Sequence, residues 1–492
     1  MNRTIYQMST ASTLTNRKFY ILSLLVLSFF SIKAQQTNFG FGELSSSTYT
    51  EKITQLEKYT VPVKYSEKSA QAWYKEILTD RTKDLLNAFK KNEVLYDTLL
   101  LNKCSSILSR IAKANKEYNF DSIKIYINRS MVANAACYGE GTIMVNLGLF
   151  LWIDNDDELA LVLAHEFAHQ LLNHSNGKIE KSIAMLTSEE FKEELKDIKK
   201  ANNGKFSRFR NLMKGLHIES GKHSTYKESE ADSLGIVLIK NAKYDAISAA
   251  KVLLKFDQVD DLFTSNKLYV LKNYFENTGI SSSYFYVKPK YNGLSSMKVE
   301  MNADKDMDSI KTHPDCKKRY ESIAGKNNIP IINCCTSIDT SYQVYKERAI
   351  LEIVRNLYEK NSIGWCTHLA LFSLKNNYNP TVYNLFLSMC FSKLYYKDKH
   401  IERFNAANTD AARESNLKET QDLLFALSTT ELEMLSNYFL NKSTGANAED
   451  NAFATLMYET EVKQKDPIAL NDAFLKKYPN SKYKYLIQKK QP

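Results

Sequence analysis

The segment "LALVLAHEFAHQLLNH", residues 159–174, constrains this chain more than any other. Leu159, Leu161, Leu163, Leu171 and Leu172 fit a buried helix, yet His165, Glu166 and His169 stand in its middle. Polar groups buried without partners are strongly penalised. A fold that accepts this helix must therefore supply something that compensates three polar side chains at one place. The helix has a clear beginning, because Asp154, Asn155, Asp156 and Asp157 can cap free backbone N–H groups and suit the positive end of the helix dipole.

His165 and His169 are four residues apart, about 40° around a helix axis, so both imidazoles point to one place. Two neutral imidazoles on a rigid helix make half of a zinc site. Glu166 falls on the flank of that face, where it can take a proton from a zinc-bound water rather than bind the metal. Ala164 and Ala168 leave room beside the histidines. The alternative is a hydrogen-bonded pair of core histidines with Glu166 as their partner; metal ligation satisfies all three groups at once.

A third ligand must come from elsewhere. The metzincin spacing needs Gly at 172 and His at 175, and the chain has Leu172 and Ser175, so that arrangement is excluded. His174 lies five residues after His169, which on an ideal helix turns it about 140° away and makes it a surface or helix-end residue. "YKESEADSLG", residues 226–235, is the better source. Glu228 and Asp232 share one helical face, so Glu228 can complete a two-His, one-Glu site while Asp232 takes the second N–H of a ligand histidine. Glu230, between them, should face elsewhere.

The order and spacing of "NAACYGEGTIMVNLGLFLWIDNDDELALVLAHEFAHQLLNH", "ESEADSLG" and "THPDCKKRY" resemble the HtpX, BepA and CAAX-prenyl-protease group of gluzincin metallopeptidases, peptidase family 48, over roughly residues 75–325. That resemblance implies His165, His169 and Glu228 as ligands of one Zn2+ per chain, Glu166 as general base and Asp232 behind the ligands. It also implies that His313 of the H-P-x-x-x-x-R segment sits over the zinc, with Arg319 nearby in the substrate-binding part of the site. The strand around Thr142 to Asn146 is implied to be the cleft edge, with Thr142, Met144 and Asn146 meeting an extended substrate by strand addition.

The N-terminus reads "NRKFYILSLLVLSFFSIKAQQ": two basic residues, a 14-residue run from Phe19 to Ile32 that is apolar apart from Ser and Tyr, then Ala34. This is the order of a cleaved signal peptide. As a helix the run covers about 21 Å against roughly 30 Å of hydrocarbon, too short to span. The expected location is the periplasm or outside the cell, with no integral membrane span. Of the net charge of +10, four positive charges belong to residues 1–34, leaving +6 on the rest, which argues against a nucleic-acid partner. Seven cysteines are too few for a disulfide scaffold, although Cys316 is spaced to pair with Cys334 or Cys335.

Residues 35–69 read as a linker, helices are expected over 70–115, and "SIKIYI" alternates as a half-buried strand. Gly139 and Gly141 mark a turn into a second strand at Thr142–Asn146. Residues 178–216 read as solvated helices, 275–311 as an insertion, and the chain is helical again after about 340. The sequence thus predicts a mainly α fold with a small β-sheet. A gluzincin-like catalytic domain over 70–335 precedes a helical region over 340–492, tetratricopeptide-like in flavour. The implied activity is zinc-dependent hydrolysis of exported or envelope proteins in extended form. The rival reading is an exported chaperone or scaffold with a closed zinc site, whose C-terminal helices hold clients or an envelope complex.

Overall fold

The computed structural model describes residues 41–200, 204, 207, 226–257, 268–285, 316–327, 340–396, 400–409, 415–443, 447–484 and 487. The predicted export segment 1–34, residues 286–311 of the predicted insertion, His313, Cys334 and Cys335 lie outside the described residues. Cys316 is buried.

A five-stranded sheet in the order β1-β2-β3-β5-β4 is built from Glu43–Leu44, Val94–Tyr96, Lys124–Asn128, Ala135–Cys137 and Thr142–Asn146, numbered in that chain order. β3 and β5 run parallel, from Lys124↔Thr142 to Asn128↔Asn146. Every other pair is antiparallel. The hairpin between β4 and β5 turns through three successive left-handed residues, Gly139, Glu140 and Gly141, with φ of +83°, +52° and +80°. Glycine is required at 141, where a Cβ would lie 1.9 Å from the Ser122 carbonyl oxygen.

Two expectations change here. The stretch expected as a linker carries, from residue 43, strand β1 and the short helices Ser45–Thr48 and Thr50–Glu57. Its Ser- and Thr-rich composition hides a strand whose partner, β2, lies some fifty residues further on. The strand expected at the cleft edge is interior: β5 is paired with β3 on one side and β4 on the other. The three-residue β4 is the edge, too short to stand out before the glycine turn. Met144 accordingly lies in a core cluster with Leu85, Phe89 and Val94.

Helices α1 (Lys68–Lys90) and α2 (Thr98–Ala114) flank β2. α2 starts at Asp97, whose carboxylate accepts the Leu100 N–H at 3.0 Å. α3 (Asp156–Leu171) starts at Asn155, which accepts the Glu158 N–H, and carries three acids in its first turn. All eleven residues from Glu158 to Ala168 are buried. α3 ends where Asn173 takes φ of +56°, and the chain reverses into α4 (His174–Leu186). After a further helix, Glu189–Lys200, come α5, helical over 226–241, and α6 (Ala246–Phe256). α3 packs against α2, β4, α4 and α6, so its polar centre is enclosed by helices and the sheet edge. α7 (Cys316–Asn327) lies against α6.

The C-terminal helices include α8 (Gln343–Glu359), α9 (Ile363–Lys375), α10 (Pro380–Tyr396), α11 (Asn416–Ala426), α12 (Thr429–Lys442), α13 (Ala448–Glu461) and α14 (Pro467–Lys477), with the short helix His400–Ala407 between α10 and α11. Ser415, Ser428, Asn447 and Asp466 cap the last four. α10 packs against α9, α12 and α13. α8 lies on the short helix Leu147–Phe150 and is tied by buried polar contacts: Arg129 to Glu359 at 2.7 Å, the Asn356 amide to the Arg129 carbonyl at 3.0 Å, and Arg348 to Asp97. Phe275, at the start of the predicted insertion, is buried against Phe391 and Phe439.

Candidate metal centre

α3 and α5 cross at the histidines. A Cβ on Gly235 of α5 would lie 3.3 Å from the His165 backbone nitrogen, so the absence of a side chain there lets the helices approach closely. The crossing brings the predicted ligands together. His165 Nε2 and His169 Nε2 are 3.0 Å apart, and the two oxygens of Glu228 lie 3.3 Å from His165 Nε2 and 3.4 Å from His169 Nε2. Metal–ligand bonds of roughly 2.0–2.1 Å put neighbouring donors of a tetrahedron about 3.3 Å apart. These nearest separations, to different oxygens of Glu228, are close to the spacing of neighbouring donors around a tetrahedral ion.

Charge fits as well. Asp232 receives His165 Nδ1 at 2.9 Å, and Arg319 from α7 holds Asp232 with two hydrogen bonds of 2.7 and 2.9 Å. Arg319 also lies 3.2 Å from Glu228. Burial acts to raise the Asp232 pKa, but the hydrogen bonds from His165 and Arg319 outweigh it and hold the carboxyl well below its usual range. Burial and Arg319 push the His165 pKa down, while Asp232 and Glu228 push it up more strongly, to about 9. A site that holds a proton on a buried imidazole is one that attracts cations. Glu166 is 3% exposed and adjoins His165 on α3. It also lies close enough to the edge strand for its charge to act on Cys137, whose thiol is pushed up to about 11, mainly by burial.

The structure brings His165, His169 and Glu228 together, with donor atoms within 4.8 Å of one another, and sets Asp232 against His165; Glu166 adjoins His165 along α3. Arg319 joins them, against Asp232, Glu228 and His165. Thr142 is buried and Asn146 half-buried on the interior strand β5. His313 lies outside the described residues.

Two neighbours went unrecognised in the sequence. His174 Nδ1 is 2.9 Å from His169 Nδ1, and His174 Nε2 is 3.4 Å from Glu230. The 140° separation assumed an unbroken helix, whereas the left-handed Asn173 folds His174 back onto α3. Burial, the adjacent His169 and Lys227 push the His174 pKa below its usual value. An Asn before the second of two neighbouring histidines was the available signal, since Asn tolerates that backbone conformation.

Two histidines of an H-E-x-x-H helix joined to a carboxylate from a second helix form the donor set of a metallopeptidase. Residues 98–327 match the model of Peptidase family M48. It is 28% identical over 193 residues to the mitochondrial metalloendopeptidase OMA1 of Schizosaccharomyces pombe, covering 39% of this chain and 52% of that protein. It is 29% identical over 143 residues to the metalloprotease YcaL of Escherichia coli, covering 28% of this chain and 53% of that protein. The chain spans about half the length of these curated relatives. No helix among the described residues is long and apolar enough to cross a membrane.

Proposed function

We propose that this chain is a zinc-dependent endopeptidase that hydrolyses exported or envelope proteins in extended form. The observation that carries the reading is the meeting of His165, His169 and Glu228, whose nearest donor atoms are 3.0, 3.3 and 3.4 Å apart. When bound there, zinc supplies Lewis acidity, which polarises a carbonyl and acidifies water. The Glu166 carboxylate takes the proton from the attacking water and passes it to the leaving amine nitrogen. Asp232 holds His165 through its Nδ1–H, and Arg319 fixes Asp232 and Glu228 in turn. His313 is assigned to steady the developing oxyanion. Its position six residues before Arg319, which is anchored at the centre, supports that role.

The edge strand supports extended binding. Tyr138 N–H donates to Thr142 and Asn146 N–H to Asn134, so Asn134 and Tyr138 turn toward β5. Alternation then turns the N–H and C=O groups of Ala135 and Cys137 outward. Ser175 Oγ occupies the Cys137 carbonyl at 3.2 Å, and the Cys137 thiol meets Gln170 of α3 at 3.4 Å. This edge runs beside the helix that carries Glu166, where a substrate strand can add. Export, read from Phe19–Ile32 followed by Ala34, belongs to the same proposal.

Replacing Glu166 with Gln should lower cleavage of an unfolded protein such as casein by about 100- to 10,000-fold. Metal analysis should still find one zinc per chain. A variant that cleaves like the wild type would remove Glu166 from the mechanism, and a wild-type chain without zinc would end the peptidase reading.

A further inference from the structure

Of the two proton arrangements that satisfy the contact between His169 and His174, only one leaves His169 able to bind a metal. The two Nδ1 atoms are 2.9 Å apart, so one of them must donate and the other accept. His169 Nε2 faces the other donors, 3.0 Å from His165 Nε2 and 3.4 Å from Glu228, where a ligand nitrogen needs its lone pair free. A neutral His169 must then carry its proton on Nδ1 and donate it to His174. That leaves the His174 proton on Nε2, the atom 3.4 Å from Glu230. The opposite arrangement aims an N–H at the metal position and blocks it.

The backbone is built to keep this order. Asn173, with φ of +56°, starts α4 so that its first residue, His174, returns to α3. The Lys227 ammonium donates to the His174 carbonyl at 2.8 Å, and Glu230 follows Lys227 on α5. α5 therefore supplies Glu228 to the metal position, and its Lys227 and Glu230 hold the residue that orients a second ligand. We infer that His174, aligned by Glu230, is a positioning residue that locks His169 in the metal-ligating tautomer. It serves His169 as Asp232 serves His165. The inference rests on the metal-site reading above.

Zinc affinity tests it without recourse to cleavage, by competition against a chelating dye. His174→Ala should weaken zinc binding by about 10- to 100-fold, the usual effect of removing a group that orients a ligand. His174→Asn keeps an acceptor near the position of Nδ1 and should recover most of that loss. Glu230→Ala, at a half-exposed position, should weaken binding in the same direction by less. The metal-free melting temperature, measured in parallel, registers a purely structural contribution. Three results overturn the relay: His174→Ala binding zinc within twofold of the wild type, Asn binding no better than Ala, or, where Ala does not fold, Glu230→Ala without effect. A wild-type chain that binds no zinc overturns the peptidase reading and the relay together; wild-type binding with unaffected variants overturns the relay alone.

Discussion

Two clusters of buried charge sit in this chain, and they are balanced differently. Along the face that receives α8, Asp97, Asp154, Glu158, Glu352 and Glu359 meet Arg129, Lys255, Lys346, Arg348 and Arg355, five acids against five bases. At the metal centre, Arg319 meets Glu228 and Asp232, and Glu166 is buried next to His165 on α3. With neutral histidines, the three named acids there outnumber the one named cation. The first cluster pairs acids with bases across α3, α6 and α8 and holds these elements together. In the second, acids predominate among the named groups, and Asp232 and Glu228 hold the His165 pKa above its usual value against burial and Arg319.

Breaking the balanced cluster should have the larger effect on stability. Arg348 is paired with Asp97, whose side chain is 1% exposed. Arg348→Met removes the cation and leaves that carboxylate buried, a change that typically destabilises by about 3–5 kcal/mol. Urea unfolding of the metal-free variant should register the loss, while its zinc affinity stays at the wild-type value. A loss of affinity comparable to that of ligand variants would mean that the two clusters are coupled, and the contrast between them would fail.

The same contrast explains what was legible in the sequence. Both histidines, Glu166, Glu228 and Asp232 were readable because each relation is local: four residues along a helix fix a common face. The α8 face was not readable, because Asp97 and Arg348 are 251 residues apart and nothing in either segment names the other. β5 was legible from alternation and flanking glycines, but its edge or interior status depends on the three-residue β4. His174 and Glu230 were missed for a different reason. One left-handed residue, Asn173, cancels the helical geometry from which their directions were extrapolated.

Within the metal centre, Asp232→Asn gives an intermediate effect. Asn preserves the shape but removes the charge that holds the second nitrogen of His165 at 2.9 Å. Zinc should bind about 10- to 100-fold more weakly, equivalent to about 1.4–2.7 kcal/mol. Stability of the metal-free protein should change by less than in Arg348→Met, because Arg319 keeps its contact with Glu228. Unchanged zinc affinity would show that Asp232 merely accompanies the ligands and does not orient one of them.

The smallest effect concerns acid pH and separates the clusters by titration. Burial acts to raise the Asp154 pKa, but Lys255 and Lys346 overcome it and hold the carboxyl below its usual value. A depressed folded-state pKa stabilises the protein above the unfolded carboxyl value, about 3.9, and that contribution fades as pH falls through the lower folded value. Wild type should therefore exceed Asp154→Asn in stability at pH 6, with the gap narrowing as pH drops below about 4. Chemical denaturation of both metal-free proteins at pH 6, 4 and 3 measures the gap. Because Asp154 pairs with lysines of α6 and α8 and not with any metal donor, added zinc should leave the pH 6 gap unchanged. A gap constant with pH would mean that Asp154 acts through shape alone, and a gap that zinc closes would place its charge in the field of the metal centre.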